Sequence, residues 1–370
     1  MTQHPPEARP EPRPEPRTPP MRPAPGPALP PPPPSRLLPI ALLLLAAALL
    51  PFFAAGSHAF ALGSRIAVFA LLAGSYDLVL GYTGIVSFAH AAFFGFGAYG
   101  VAIALNGEAS FPALLLGALG GIGVAGGFAF LLTLLSLRVE TLFFAMLTLA
   151  FGRLAQIVAE EWREVTGGTD GLTFRLPAPL GPADRLWGVD LLSGRHLTLL
   201  LLAGVAIGAF FLLDRLVRSP LGSVLAAIRD NPRRARALGY SPLLFRSLAS
   251  VIAAMAAALA GAMQAVALRY VNPDVALSFA LMIDVLLMGV IGGLGTLIGP
   301  VIGAIVLVFM EDGLEPLLAW LAPLMAAVPG AGALFSPERW LFWLGAAFVL
   351  IVYLAPEGLS GLARRRGGAG

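Results

Sequence analysis

The sequence predicts an all-α fold, a polytopic transmembrane helix bundle of about 8–10 spans with Gly-rich segments as candidates for re-entrant geometry. Three observations carry this. The 370 residues are 58% hydrophobic and only 12% charged, about half the charge of a soluble domain, usually ~25%. Mean hydropathy is +0.83. Apolar runs close to the ~20 residues that a bilayer crossing needs recur along the chain.

Taken in order, residues 1–36 hold 16 prolines. Proline fixes φ and lacks an amide donor, so this stretch is expected to be a disordered or polyproline cytoplasmic tail. Its scattered arginines and the lack of a small-residue cleavage site separate it from a signal peptide. From Leu37 the character changes. Spans are expected at 37–55, 60–80, 85–105, 112–135, 141–159, 196–216, 246–268, 278–292, 296–311 and 339–356. The span at 85–105 and the pair meeting at Gly292 and Gly293 are the re-entrant candidates. The membrane domain is placed at 37–362, and 363–370 is a basic, Gly-rich tail.

Arginine distribution sets the expected orientation. All 24 basic residues are arginine, which, with heavy Ala, Gly and Pro usage, suggests a GC-rich bacterial genome. Ten crossings with the N-terminus inside put 16 of the 24 on cytoplasmic segments, seven of them between Arg215 and Arg246. The loop 160–195 would then lie outside, where its six carboxylates outnumber its four arginines. This agrees with the positive-inside rule. Both termini and the loop 217–245 are expected in the cytoplasm of a bacterial inner-membrane protein. The pI near 9.7 follows from the same arginines and needs no nucleic acid.

The loop 217–245 carries three helix-start signals. Ser219-Pro220, Asn231-Pro232 and Ser241-Pro242 each pair a capping residue with proline at N1. Gly239 supplies a left-handed stop. Between Asn231 and Gly239 this leaves a helix of about seven residues, roughly 10 Å long, bearing Arg233, Arg234 and Arg236. So short a helix does not persist alone in water. Anionic headgroups or a groove in a partner protein can hold it, and the two-ended capping favours the partner.

That stretch, "AIRDNPRRARALGYSP", resembles the cytoplasmic coupling loop of the branched-chain amino acid permeases of bacterial ATP-driven importers, the LivM type. Four more stretches resemble the same family in the same order: "GYTGIVSFAHAAFFGFGAYG" (81–100), "TGGTDGL" (166–172), "DVLLMGVIGGLGTLIGPVIGA" (284–304) and "APEGLSGL" (355–362). The resemblance implies a permease subunit working with a second homologous permease, ATP-binding subunits and an extracytoplasmic substrate-binding protein. ATPase coupling would fall to Arg229, Asp230, Asn231, Pro232, Arg233, Arg234, Arg236, Leu238 and Gly239. Family members often carry an acid just before "ALG", where this chain has Arg236. A Walker A loop needs a lysine and this chain has none, so no cofactor is expected here and ATP–Mg belongs to partner subunits. Related permeases carry urea, amides or aromatic acids, which leaves the substrate open.

The G-x-G-x-x-G matches at 95–100 and 121–126 sit inside apolar runs, not in strand–turn–helix context. They read as helix-packing glycines rather than dinucleotide sites. Intramembrane polar residues are costly and call for a reason. Ser87 and His90 are the best candidates for lining a translocation path. Arg153 and Asp284 join them, Asp77 has no clear role, and Asp77–Arg153 pairing is an alternative. Thr166, Thr169 and Asp170 are candidates for contact with the binding protein, with an ordinary Gly-rich turn as the alternative. A self-sufficient ion-coupled transporter using Asp77, Arg153 and Asp284 is the competing reading. Enzyme motifs (H-E-x-x-H, G-x-S-x-G) are absent from the sequence.

Overall fold

Helical crossings form wherever the sequence runs apolar, and most begin and end within a few residues of the expected positions. The structure is a computed structural model. It describes residues 37–53, 57–136, 141–180, 194–325 and 335–361. The expected tails at 1–36 and 363–370, part of the loop 160–195 and part of the loop after α13 lie outside the described residues. Helices α1 (Leu37–Phe53), α2 (Ser57–Thr83), α3 (His90–Leu105), α4 (Phe111–Ser136) and α5 (Thr141–Glu161) form the first half. The one-turn α6 (Arg163–Thr166) is followed by α7 (Gly194–Val217), α8 (Pro220–Asp230) and α9 (Pro232–Ala237). Then come α10 (Pro242–Leu268), α11 (Pro273–Ala276), α12 (Phe279–Gly292), α13 (Ile298–Met325) and α14 (Trp340–Leu354).

Among the described residues, seven helices are long and apolar enough to cross a bilayer, and α1 and α3 are shorter apolar helices. The protein is thus a multi-pass membrane protein. Helix α2 is its axis, with 89% of its most apolar stretch buried. It packs on α1, α7, α10, α12 and α13, while α3, α4 and α10 form a second packed group beside it. Helices α4, α5 and α14 turn large apolar side chains such as Leu116, Met146 and Val349 outward, as lipid contact requires.

Small residues set the closest approach. A Cβ on Gly97 of α3 would strike the Ala258 carbonyl of α10, and one on Gly261 of α10 would strike the Phe94 carbonyl of α3. Ala254, Ala257 and Ala258 are fully buried along this seam. Without a hydrophobic force between helices in lipid, such close backbone packing holds them together. The G-x-G-x-x-G at 95–100 is consumed by this contact.

Two elements differ from the sequence expectation. Helix α3 starts at His90, not at 85. Gly84, at φ +72°, ends α2, and residues 84–89 re-enter the bundle without helix, from exposed Gly84 to Ala89 and His90 at 0% and 1% exposure. Helix α13 runs past 311 to Met325 through Glu311, Asp312 and Glu315. Arg65 of α2 meets Glu311 at 2.6 Å and His58 meets Asp312 at 2.9 Å, so two of these carboxylates are paired within the bundle.

Candidate functional site

The segment singled out in the sequence forms the loop end of the bundle. In α8, Gly222, Leu225 and Ile228 are buried, spaced to lie along one face. The Asn231 side chain then caps α9, accepting from the amides of Arg233 at 3.1 Å and Arg234 at 3.0 Å. The other end closes with Gly239 at φ +90°. Its amide donates to Arg236 O at 2.9 Å, and the Tyr240 amide to Ala235 O at 3.1 Å, the paired bonds of a Schellman motif. Ser219 and Ser241 occupy cap positions but make no capping bond; the Ser219 hydroxyl donates to Leu216 O at 2.6 Å. Ala235 is the anchor of α9 at 2% exposure. Arg233, Arg234 and Arg236 are exposed, beside Leu238 (71% exposed) and Leu244 (61% exposed).

Arg229, at the end of α8, points back into the bundle and donates to Gly81 O near the end of α2. Asp77, one turn earlier, accepts from the Gly295 amide at 2.6 Å. Gly295 belongs to the break between α12 and α13, where Gly293 (φ +101°) and Gly295 (φ +77°) take backbone shapes that favour glycine. The C-terminal turn closes the same junction. Thr296 Oγ1 and Ser360 Oγ are 3.3 Å apart, and Gly358 abuts Gly293 backbone to backbone.

Deeper in the bundle, α2, α3, α4, α5 and α10 surround a mostly apolar cavity of about 10 Å³. Its lining includes Ser87, His90, Thr133, Thr148 and Ser250. That is room for roughly one water and far too little for an amino acid. No well-formed hydrogen bond reaches either ring nitrogen of His90 among the described residues; the ring stands edge-on to Tyr76 at 5.0 Å and Phe93 at 5.9 Å. A second groove of about 30 Å³ opens between α5 and α12, with Arg153, Gln156, Phe88 and Ser278 on its walls.

At the opposite end, Leu172–Thr173 pairs antiparallel with Tyr270–Val271, Leu172 facing Val271. Tyr270 donates to Asp170 O at 2.9 Å, so the loops after α5 and α10 are clamped together. Arg269 there has its guanidinium lowered from the ordinary arginine value by burial and then by Arg195.

A sequence model of the family described as branched-chain amino acid transport system / permease component matches residues 58–352. The chain belongs to this family of permease components. It is similar to the high-affinity branched-chain amino acid transport system permease protein LivM of Salmonella typhimurium and to that of Escherichia coli. Each is 27% identical over 317 residues, covering 80% of this chain and 68% of the relative. No solved structure matches the chain.

The permease brings Ser87 and His90 to one cavity, together with Thr133, Thr148 and Ser250, which sequence reasoning missed. Isolated hydroxyls in apolar helices are common enough as helix bonds to hide such a lining. Arg153 lies in the neighbouring groove and pairs with Glu160 at 3.7 Å, not with Asp77; the two sit on separate faces and each has its own partner. Asp284, on α12, lines neither cavity, so the four path candidates do not form a single site. Thr166 is turned inward: its hydroxyl donates to Ala159 O at 2.6 Å and Trp162 O at 2.7 Å. That removes it as a surface contact and leaves Thr169 and Asp170 exposed.

Proposed function

We propose that the permease is one transmembrane subunit of a bacterial ATP-driven importer, carrying branched-chain or other hydrophobic amino acids inward by alternating access. A second homologous permease would complete the path, ATP-binding subunits would dock under α9, and a substrate-binding protein would dock on the clamped loops at the other end. The observation that carries this is α9. A six-residue helix is unstable alone, yet this one is capped at both ends, anchored by one buried alanine, and offers exposed arginines beside exposed leucines. A lipid surface asks for charge but not for defined geometry; a protein groove asks for both.

In this mechanism the residues of α9 carry force rather than chemistry. Closure of the ATPase subunits displaces α9. Ala235 and the short Asn231 link pass that displacement to α8 and α10. The His90 cavity is closed in the present conformation, and opening it requires α3, α5 and α10 to separate. Ser87, Thr148 and Ser250 would then offer hydroxyls, and helix ends would offer their dipoles, to a zwitterion. Orientation with both termini in the cytoplasm follows the arginine bias.

The test is gentle solubilisation and identification of co-purifying chains, followed by reconstitution. An ATP-binding subunit that leaves when 231–239 is deleted supports the reading. Substrate uptake into liposomes by this chain alone, without ATP, overturns it.

A further inference from the structure

Two glycine-rich breaks, one in each half of the chain, converge on a single arginine. The Arg229 side chain lies along Gly84, whose Cβ would come 3.4 Å from Arg229 Cγ. It passes Gly295, whose Cβ would come 3.0 Å from Nη1, and ends on the Gly81 carbonyl. A side chain at Gly81 would collide with both Asp77 and the Gly295 amide. The glycines therefore clear a channel for the guanidinium and let the breaks touch. Asp77 is 0% exposed. One carboxylate oxygen is held by the Gly295 amide and the other has no hydrogen-bond partner among the described residues.

From this geometry we propose that Arg229 is the positioning residue that joins the cytoplasmic coupling helices to both broken helices, through the Gly81 carbonyl that packs on the Asp77–Gly295 bond. This deepens the importer reading and rests on it for the source of movement. Asp77 belongs to α2, the axis of the bundle, while Arg229 rides on α8, directly before the α9 cap. Withdrawing Arg229 strips the Gly81 carbonyl of its side-chain donor where Gly81 packs on Asp77 and the Gly295 amide. Removing one partner of such a bond leaves the other unsatisfied, which is costlier than the bond itself is worth. The junction of Gly81, Gly84 and Gly295 therefore cannot keep its packing while α8 moves away. Displacement at the loop end becomes rearrangement at the head of α3, six residues beyond Gly84, where His90 begins. The Thr296–Ser360 contact ties the α12–α13 break to the same event.

The chain has no cysteine, so a spin-label pair can be placed without background. Ala226→Cys on α8 and Leu294→Cys in the break are both at exposed positions. In lipid nanodiscs a narrow distance distribution is expected for this pair. Arg229→Gln or Asp77→Leu, which removes the acceptor of the Gly295 amide, broadens it, the double variant is no worse than either single, and Arg229→Lys restores most of the narrow component. In the reconstituted importer, Arg229→Gln raises the ATP spent per substrate moved by about tenfold, within the usual range of coupling between sites. Unchanged distances in both single variants overturn the proposal, as does an additive double variant. A wild-type chain that never takes up an ATPase partner sinks the importer reading but leaves the distance test standing.

Discussion

The amide of Phe88 donates to the hydroxyl of Thr148, 60 positions later, at 3.0 Å. This bond ties the non-helical re-entry 84–89 to α5. Inside a bilayer every backbone donor needs a partner from the protein, and Phe88 lies where neither α2 nor α3 supplies one. Thr148→Val leaves that amide buried and unpaired. The expected cost is about 1–3 kcal/mol, read as a lower unfolding temperature in detergent, whereas Thr148→Ser keeps the hydroxyl and most of the stability. Equal stability of the valine and serine variants would show that water replaces the bond.

His90 separates a structural role from a transport role. Its ring is 1% exposed and no well-formed hydrogen bond reaches its nitrogens among the described residues, so the imidazole contributes mainly volume and edge contacts to the fold. Replacing so weakly bonded a polar group by an apolar one of similar shape is close to neutral. His90→Phe is expected to leave thermal stability unchanged or raised while cutting substrate uptake severely in the assembled importer. Normal uptake in that variant would remove His90 from the path.

Much of this architecture could be read from the sequence because its signals are local. Asn231-Pro232 and Gly239 are caps that act within one turn, and α9 lies where they place it. Span positions follow apolar length, set by the bilayer. The junction was not legible. Arg229 on Gly81 O and Asp77 on Gly295 N join residues 148 and 218 positions apart, and one aspartate in an apolar run gives no hint of its partner. The same holds for Thr148 and Ser250, whose shared cavity depends on the close approach of α3 and α10 at Gly97 and Gly261. The extension of α13 past 311 is not legible either, because Glu311 and Asp312 find their partners, Arg65 and His58, on α2.

Capping makes a graded prediction for ATPase docking. Asn231 satisfies two amides at once, while the Ser219 hydroxyl bonds backward to Leu216 O. Asn231→Ala is expected to cost about 1 kcal/mol of α9 stability. Affinity for the ATP-binding subunit, measured by titration on permease nanodiscs, should weaken roughly fivefold at that cost. Ser219→Ala should change it little. Equal effects would mean that the caps do not control the docking geometry.

Arg153 is expected to meet water or a second subunit rather than lipid. Its side chain is 58% exposed on α5, and its nearest carboxylate, Glu160, is 3.7 Å away. On insertion scales an arginine at the centre of a lipid-facing helix costs about 2.5–3.5 kcal/mol, and a loose pair at that separation offsets little of it. A water-filled path or a second permease subunit against the α5–α12 groove removes most of the cost, and Gln156 and Ser278 on the same groove fit a polar neighbour. In the naturally cysteine-free chain, Arg153→Cys is expected to react with a charged thiol reagent and to become protected when the second subunit is added. Leu212→Cys on α7, 66% exposed and set in an apolar run, should stay unreactive throughout. If the two cysteines behave alike, Arg153 faces lipid and the path runs elsewhere.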